Sequence, residues 1–396
     1  MRMPVVLLAW WCFGPMLASA VAQSKPAIPA AILPRPTGPF AVGTVDSLWI
    51  DQAREERFTR DPGDRRHLMV QIWYPADRST SGEVAPYIRD SLEFSSLADL
   101  RRVFRVRTNS YDGVPVTATG GPFPVLVYNH GGGWTRFSAT FTAEMLASHG
   151  YVVVSVDHTG FNKTSRFPDG YVFQPDTLGF PKETKNLRTD ALAFWRHLDE
   201  NVFPVWVADA RFVLDQLEGL NRAPGRFAGR LDLDRIGMLG WSIGGATAVQ
   251  VAKDDPRVRA VIDHDGQLFG DVRDQGISRP VMLFHNGSDP AAEGSEETKA
   301  VMRELVAMTQ VWDSTFLSKT TAPRYELTLA RTNHAHFSDL LLFYPRDTTQ
   351  MAPERAHEII NAYTLAFFDQ YLKNRPSELL NGKSEKYGEV ELKIWR

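Results

Sequence analysis

The sequence predicts an α/β fold with a mostly parallel central sheet and helices on both faces, and three observations predict it. First, residues 124–128, 151–156, 236–239, 258–262 and 281–284 are short, β-branched, nearly continuous apolar runs. Runs of that kind suit parallel strands covered on both faces. Second, apolar residues recur at helical spacing between and after them. Val205, Ala208, Phe212, Val213, Leu217 and Leu220 form one such stripe, and Ala356, Ile359, Ile360, Tyr363, Phe367 and Tyr371 another. Pro353 suits the first turn of that last helix. Third, the two kinds of segment alternate, which implies strands crossing over through helices. In such sheets ligands bind beyond the carboxyl ends of the strands.

The chain opens with Arg2, an apolar run over residues 5–11, and the small residues Ala18-Ser19-Ala20-Val21-Ala22. That order describes a secretory signal peptide over residues 1–22, and hence a secreted or periplasmic protein. Gly14 and Pro15 interrupt the run, and it is too short for a resident membrane helix. Cys12, the single cysteine, lies inside it, so the mature chain is expected to carry no disulfide. Loss of Arg2 moves the net charge from −3 to −4. No basic stripe or charge block is present, which argues against nucleic acid as a partner. Residues 23–37, rich in Pro and Ala, read as an extended leader before a single domain over 38–396. Residues 67–74 read as a strand ended by Pro75, with the partial alternation expected near a sheet edge.

The run at 236–239 leads into Gly240-Trp241-Ser242-Ile243-Gly244, and a helical register follows. This is the G-x-S-x-G elbow, in which a strained turn lifts a serine hydroxyl above the sheet and glycines avoid collisions across it. Ser242 is therefore the expected nucleophile of an α/β-hydrolase fold. The run at 124–128 ends in His130-Gly131-Gly132-Gly133-Trp134, an HGGG-type loop whose amides can approach an oxyanion. Gly132 and Ile243 are the expected oxyanion donors, with His130 holding the loop. Trp134 and Trp241 flank these parts and are the expected substrate contacts.

Chain order in this fold places the base late, after an acid. His334 and His336 lie in a loop after the apolar run 325–330, and His334 is the expected base. No His or Cys cluster at ligand spacing accompanies them, so neither a metal nor another cofactor is expected. The residues leave two acids open. Asp265 follows the run at 258–262, and Asp289, favoured by the commonest arrangement in this fold, follows the run at 281–284.

The chain resembles the secreted platelet-activating factor acetylhydrolase family, also called lipoprotein-associated phospholipases, especially bacterial members. The resemblance rests on Gly38-Pro39-Phe40-Ala41-Val42-Gly43, Met69-Val70-Gln71-Ile72-Trp73-Tyr74-Pro75, the His130 loop, Ala147-Ser148-His149-Gly150-Tyr151, the elbow with Gly244-Gly245-Ala246-Thr247, Asp265-Gly266-Gln267-Leu268-Phe269-Gly270, and His334-Ala335-His336-Phe337-Ser338-Asp339. It implies Asp265 as the acid, His334 as the base, and a small-molecule ester or lipid substrate with a short or oxidised acyl group. Contact with a membrane or lipid surface is compatible with such a substrate. Trp241 departs from the histidine often found before the serine in that family. Gly-Trp-Ser also occurs in secreted polyester hydrolases, so an extracellular polyester or cutin-like hydrolase is the second reading. A non-catalytic binding protein on this scaffold would lack part of the constellation, and here every part is present. An insertion over about 159–203, carrying Phe161, Phe167, Tyr171, Phe173, Phe180, Trp195 and Phe203, is expected either to form a lid or to pack on the body.

Overall fold

A computed structural model describes residues 32–396 except 60, 90–105, 162–164, 169, 171, 174–185, 290–293 and 344–346. The signal-peptide expectation over 1–22 lies outside the described residues. The strands are β1 (Ala41–Glu55), β2 (Arg65–Ala76), β3 (Val84–Pro86), β4 (Arg107–Asp112), β5 (Phe123–Asn129), β6 (Val152–Val156), β7 (Ser165–Arg166) and β8 (Val172–Phe173). They continue with β9 (Leu231–Trp241), β10 (Val258–His264), β11 (Val281–Gly287), β12 (Arg324–Ala330) and β13 (Val390–Trp395). The helices are α1 (Thr140–Ser148), α2 (Leu187–His197), α3 (Phe203–Arg222), α4 (Ile243–Asp254), α5 (Val272–Gln275), α6 (Glu296–Lys319) and α7 (Pro353–Lys373).

Eleven strands form one sheet in the order β13-β12-β11-β10-β9-β5-β6-β2-β1-β4-β3. The central six, β12 through β6 in that order, run parallel. Their alternating residues feed two cores. Leu126 and Tyr128 pack with Phe141 and Leu146 of α1 and with Ile359, Ile360 and Phe367 of α7. Val125 and Val127 pack on the opposite face with Val213 and Leu217 of α3, Val249 of α4 and Phe316 of α6. This is the α/β-hydrolase architecture, and the fully buried runs in the sequence are its central strands.

One expectation about the outer sheet changes. The strand read at 67–74 is no edge, because β2 lies between β6 and the 15-residue β1 and is buried along nearly its whole length. The described end of the leader packs on the domain. Ile32 bridges to Arg107, and Leu33 is 1% exposed.

In the insertion, Phe167 and Phe173 of the β7–β8 hairpin pack on Leu48 and Met69, against the outer part of the sheet. Phe161 and Phe203 join Trp206, Ile243 and Phe269 in a separate cluster. Helix α2 lays Ala191 and its neighbours on Val301, Met302 and Leu305 of α6. The described phenylalanines of the insertion are thus packing residues, while Trp195 is half-buried. Tyr171 and Phe180 lie outside the described residues. Among the described residues no helix is long and apolar enough to cross a membrane.

Candidate active site

Ser242 follows β9 and caps α4 with φ 59° and ψ −132°, a conformation side-chain-bearing residues rarely adopt. Tight backbone packing explains the flanking glycines. A Cβ at Gly240 would lie 2.3 Å from Gly244 backbone, and one at Gly244 would lie 2.3 Å from the carbonyl oxygens of Asn129 and His130. Gly245 and Ala246 N–H both donate to the Ser242 carbonyl. The Ile243 N–H stands at the helix start, where no preceding turn supplies an acceptor.

Asp265 follows β10 and also has positive φ, 60°. Its Oδ2 accepts from His334 Nδ1 at 2.7 Å. Asn286, at the end of the neighbouring β11, donates its backbone N–H to Asp265 Oδ1 at 2.7 Å and its side-chain amide to both oxygens at 3.1 and 2.8 Å. Burial pushes the Asp265 carboxyl up, yet the bonds from His334 and Asn286 outweigh it and hold the group below the ordinary carboxylate range. The strand ends are also tied directly, since Ser242 N–H donates to the carbonyl of His264, the residue before Asp265. Asp289 is exposed at the far end of β11.

His334 opens a short 3-10 turn, His334–Phe337, after β12. The second histidine of the pair has different work. His336 Nε2 donates to the Met351 carbonyl at 3.0 Å, and its Nδ1 accepts from Asn333 N–H at 3.0 Å. It fastens the loop, and burial lowers its pKa. His264 and His357 are buried in the core, the latter stacked on Phe141 at 3.7 Å.

The glycine loop after β5 closes onto the elbow. A Cβ on Gly132 would touch Ile243 Cγ2 at 3.8 Å. Gly133 and Trp134 N–H are engaged with the carbonyls of Phe161 and Gly131. His130 is fully buried, with Nδ1 donating to the Gly131 carbonyl at 2.7 Å and Nε2 accepting from His158 N–H at 3.1 Å. Behind it stands an ionic network the sequence reading missed. His158 Nδ1 lies 3.0 Å from Asp209 Oδ2, and Arg66 forks onto both Asp209 oxygens at 3.0 and 2.7 Å. Asp209 is 0% exposed; burial alone would raise its pKa, but Arg66 and His158 hold it far below the usual range.

Sequence reasoning also missed Asn286. The register could have found it, because His264 pairs with Phe284 and so brings the residues beyond both strands together. The expectation that Trp241 touches substrate is corrected. Its indole is 0% exposed, because the end of β9 turns it under the glycine loop and His334. Trp134, 8% exposed, sits 5.9 Å from it, ring to ring. Among the described residues no group of three or more His, Cys, Asp or Glu is arranged to hold a metal ion.

The profile of the family "Platelet-activating factor acetylhydrolase, isoform II" matches residues 27–165. A "Probable 1-alkyl-2-acetylglycerophosphocholine esterase" of Arthroderma benhamiae is 25% identical, over 95% of this chain and 96% of that one. A "Platelet-activating factor acetylhydrolase" of Cavia porcellus is 24% identical, over 86% of this chain and 78% of the relative. Among solved structures, a ferulic acid esterase from Streptomyces cinnamoneus superposes with a TM-score of 0.72 at 28% identity, covering 92% of this chain and 99% of its own. Fold, site and relatives together define a serine carboxylic-ester hydrolase of the α/β-hydrolase class. Within that class the chain is similar to the platelet-activating factor acetylhydrolases over the stretches just given.

Proposed function

We propose that Ser242, Asp265 and His334 form the catalytic triad and that the amides of Gly132 and Ile243 form the oxyanion hole. The observation that carries this reading is the 2.7 Å bond between His334 Nδ1 and Asp265 Oδ2, made beside a serine held in a strained elbow. The Asp265 bond fixes the tautomer with the proton on Nδ1, leaving Nε2 to take the Ser242 proton. Ser242 Oγ attacks the ester carbonyl, and the two amides hold the resulting oxyanion. His334 returns its proton to the departing alkoxide, leaving an acyl-serine. Water, deprotonated by His334, then attacks the acyl carbon and frees the acid and Ser242. Gly132 is supported as a donor because the next two amides of its loop already serve the fold.

The substrate class we infer is a short-chain acyl ester of a lipid or similar small molecule, on the strength of the acetyl ester named for the fungal relative. An aromatic acyl ester is the second reading, favoured by the ferulic acid esterase neighbour. The basic, apolar and small-residue start supports export with residues 1–22 removed, and one continuous sheet supports a single domain over 38–396.

The test is hydrolysis of p-nitrophenyl esters of increasing acyl length, and of methyl ferulate, by wild type and Ser242→Ala. Activity strongest on acetyl and lost in the variant, with a fluorophosphonate adduct on wild type alone, is the expected result. Activity retained by Ser242→Ala would refute the nucleophile, and preference for ferulate would move the substrate class to the second reading.

A further inference from the structure

Trp241 makes contacts that a core residue does not need. Its Nε1–H donates to the backbone carbonyl of His334 at 3.0 Å, a bond buried from solvent and spanning 93 residues of sequence. Its ring centroid lies 5.0 Å from the His334 imidazole. On another side Gly131 lies against the indole so closely that a Cβ there would stand 2.8 Å from Cε3 and 3.1 Å from Cδ2 and Cζ3. It is also the residue directly before Ser242. One rigid side chain therefore touches the loop of the base and the loop of the oxyanion donors, and it is covalently joined to the nucleophile.

We propose that Trp241 is a positioning residue that sets His334 and the glycine loop relative to Ser242, an inference resting on the triad proposed above. Asp265 restrains the imidazole at Nδ1 alone. The Trp241 bond restrains the backbone from which that imidazole projects, so the two together fix where Nε2 points. Displacement of a catalytic group by about 1 Å costs on the order of 100-fold in rate. A buried indole N–H and a buried carbonyl that lose each other also leave both groups unsatisfied.

Two substitutions separate the parts of this role. Trp241→Phe keeps an aromatic ring and removes the donor. Trp241→His keeps a donor, because the imidazole superposes on the five-membered ring of indole with Nε2 where Nε1 stood, and it removes the benzo ring beside Gly131. With p-nitrophenyl acetate, Trp241→Phe should lose about ten-fold or more in kcat with KM within about two-fold, as expected when an interaction serves the transition state. The acid limb of its kcat/KM against pH should move, because that limb reports the free enzyme's base. Trp241→His should recover much of the kcat even if it melts lower than Trp241→Phe. An unchanged kcat and pH profile in Trp241→Phe would overturn the inference. So would losses in both variants that simply follow their melting temperatures. Ser242→Ala, assayed alongside, keeps the two ideas apart: an active Ser242→Ala sinks the triad itself, whereas an inactive one with an unaffected Trp241→Phe sinks only the positioning role.

Discussion

Replacing Asp265 by Asn tests the assignment of the acid through the direction of single hydrogen bonds. Asp265 Oδ1 accepts the Asn286 backbone N–H at 2.7 Å, and a carboxamide keeps that bond only by placing its oxygen there. Its NH2 then occupies the Oδ2 position, 2.7 Å from His334 Nδ1 and 2.8 Å from the Asn286 amide nitrogen. Two donors cannot face each other, so His334 must give up the Nδ1 proton and carry it on Nε2, where it can no longer take one from Ser242. Forcing the wrong tautomer in a triad of this kind costs about 10^4-fold in kcat, or about 5.5 kcal/mol of barrier. The shape is conserved, but the new NH2 also faces the Asn286 amide nitrogen, so melting should fall modestly while the loss of kcat remains far larger. The assay is kcat for p-nitrophenyl acetate near neutral pH, with Asp289→Asn in parallel. A loss under about ten-fold in Asp265→Asn, or a larger one in Asp289→Asn, would refute the assignment.

Two further outcomes concern stability. Asp209→Ala removes one of the two carboxylates that hold the buried Arg66 guanidinium, leaving Glu56 as the other, and losing a hydrogen-bond partner of a charged group costs about 1.5–3 kcal/mol; urea unfolding should show a loss of that order, accompanied by lower activity because His158 and His130 support the glycine loop. Glu144, fully buried on α1, accepts from Asn109 N–H and Ser110 Oγ, and burial pushes its carboxyl from 4.5 up to about 7. The folded protein therefore keeps a proton that the unfolded chain has lost across that window, so stability should fall as pH rises from about 4.5 to about 7 and level off above, by up to about 3 kcal/mol. Unfolding free energies against pH should fall less steeply in Glu144→Gln than in wild type, the slope that remains belonging to other buried carboxyls such as Asp339, pushed up to about 8.

The central strands were legible because burial on both faces leaves continuous apolar runs, and β5, β6, β9, β10 and β11 fall where those runs stand. Strand β1 was not. It carries Asp46, Asp51 and Glu55, is only partly buried, and resembles a polar loop when read for apolar continuity. Strand β13 is an exposed-edge strand with the same problem. At the site, Ser242 was legible from local chemistry, since the crowding that demands Gly240 and Gly244 is written within five residues. The side-chain direction of Trp241 was not, because the twist at a strand end decides whether a ring meets solvent or the underside of a loop. Likewise Asp265 and Asp289 both sit in turn-forming sequence, and only in space do the bonds from His334 and Asn286 single out the former.

The left-handed backbone at Ser242 has an evolutionary side. A serine held at φ 59° sits in a conformation costing on the order of 1–3 kcal/mol, and glycine would occupy it with little strain. With Ser242 as the proposed nucleophile, the most damaging change to catalysis at that position is among the least damaging to the fold. A library selected for heat resistance alone would drift toward glycine at 242 and lose its chemistry, so thermostable variants of this chain must be selected with turnover measured in the same round.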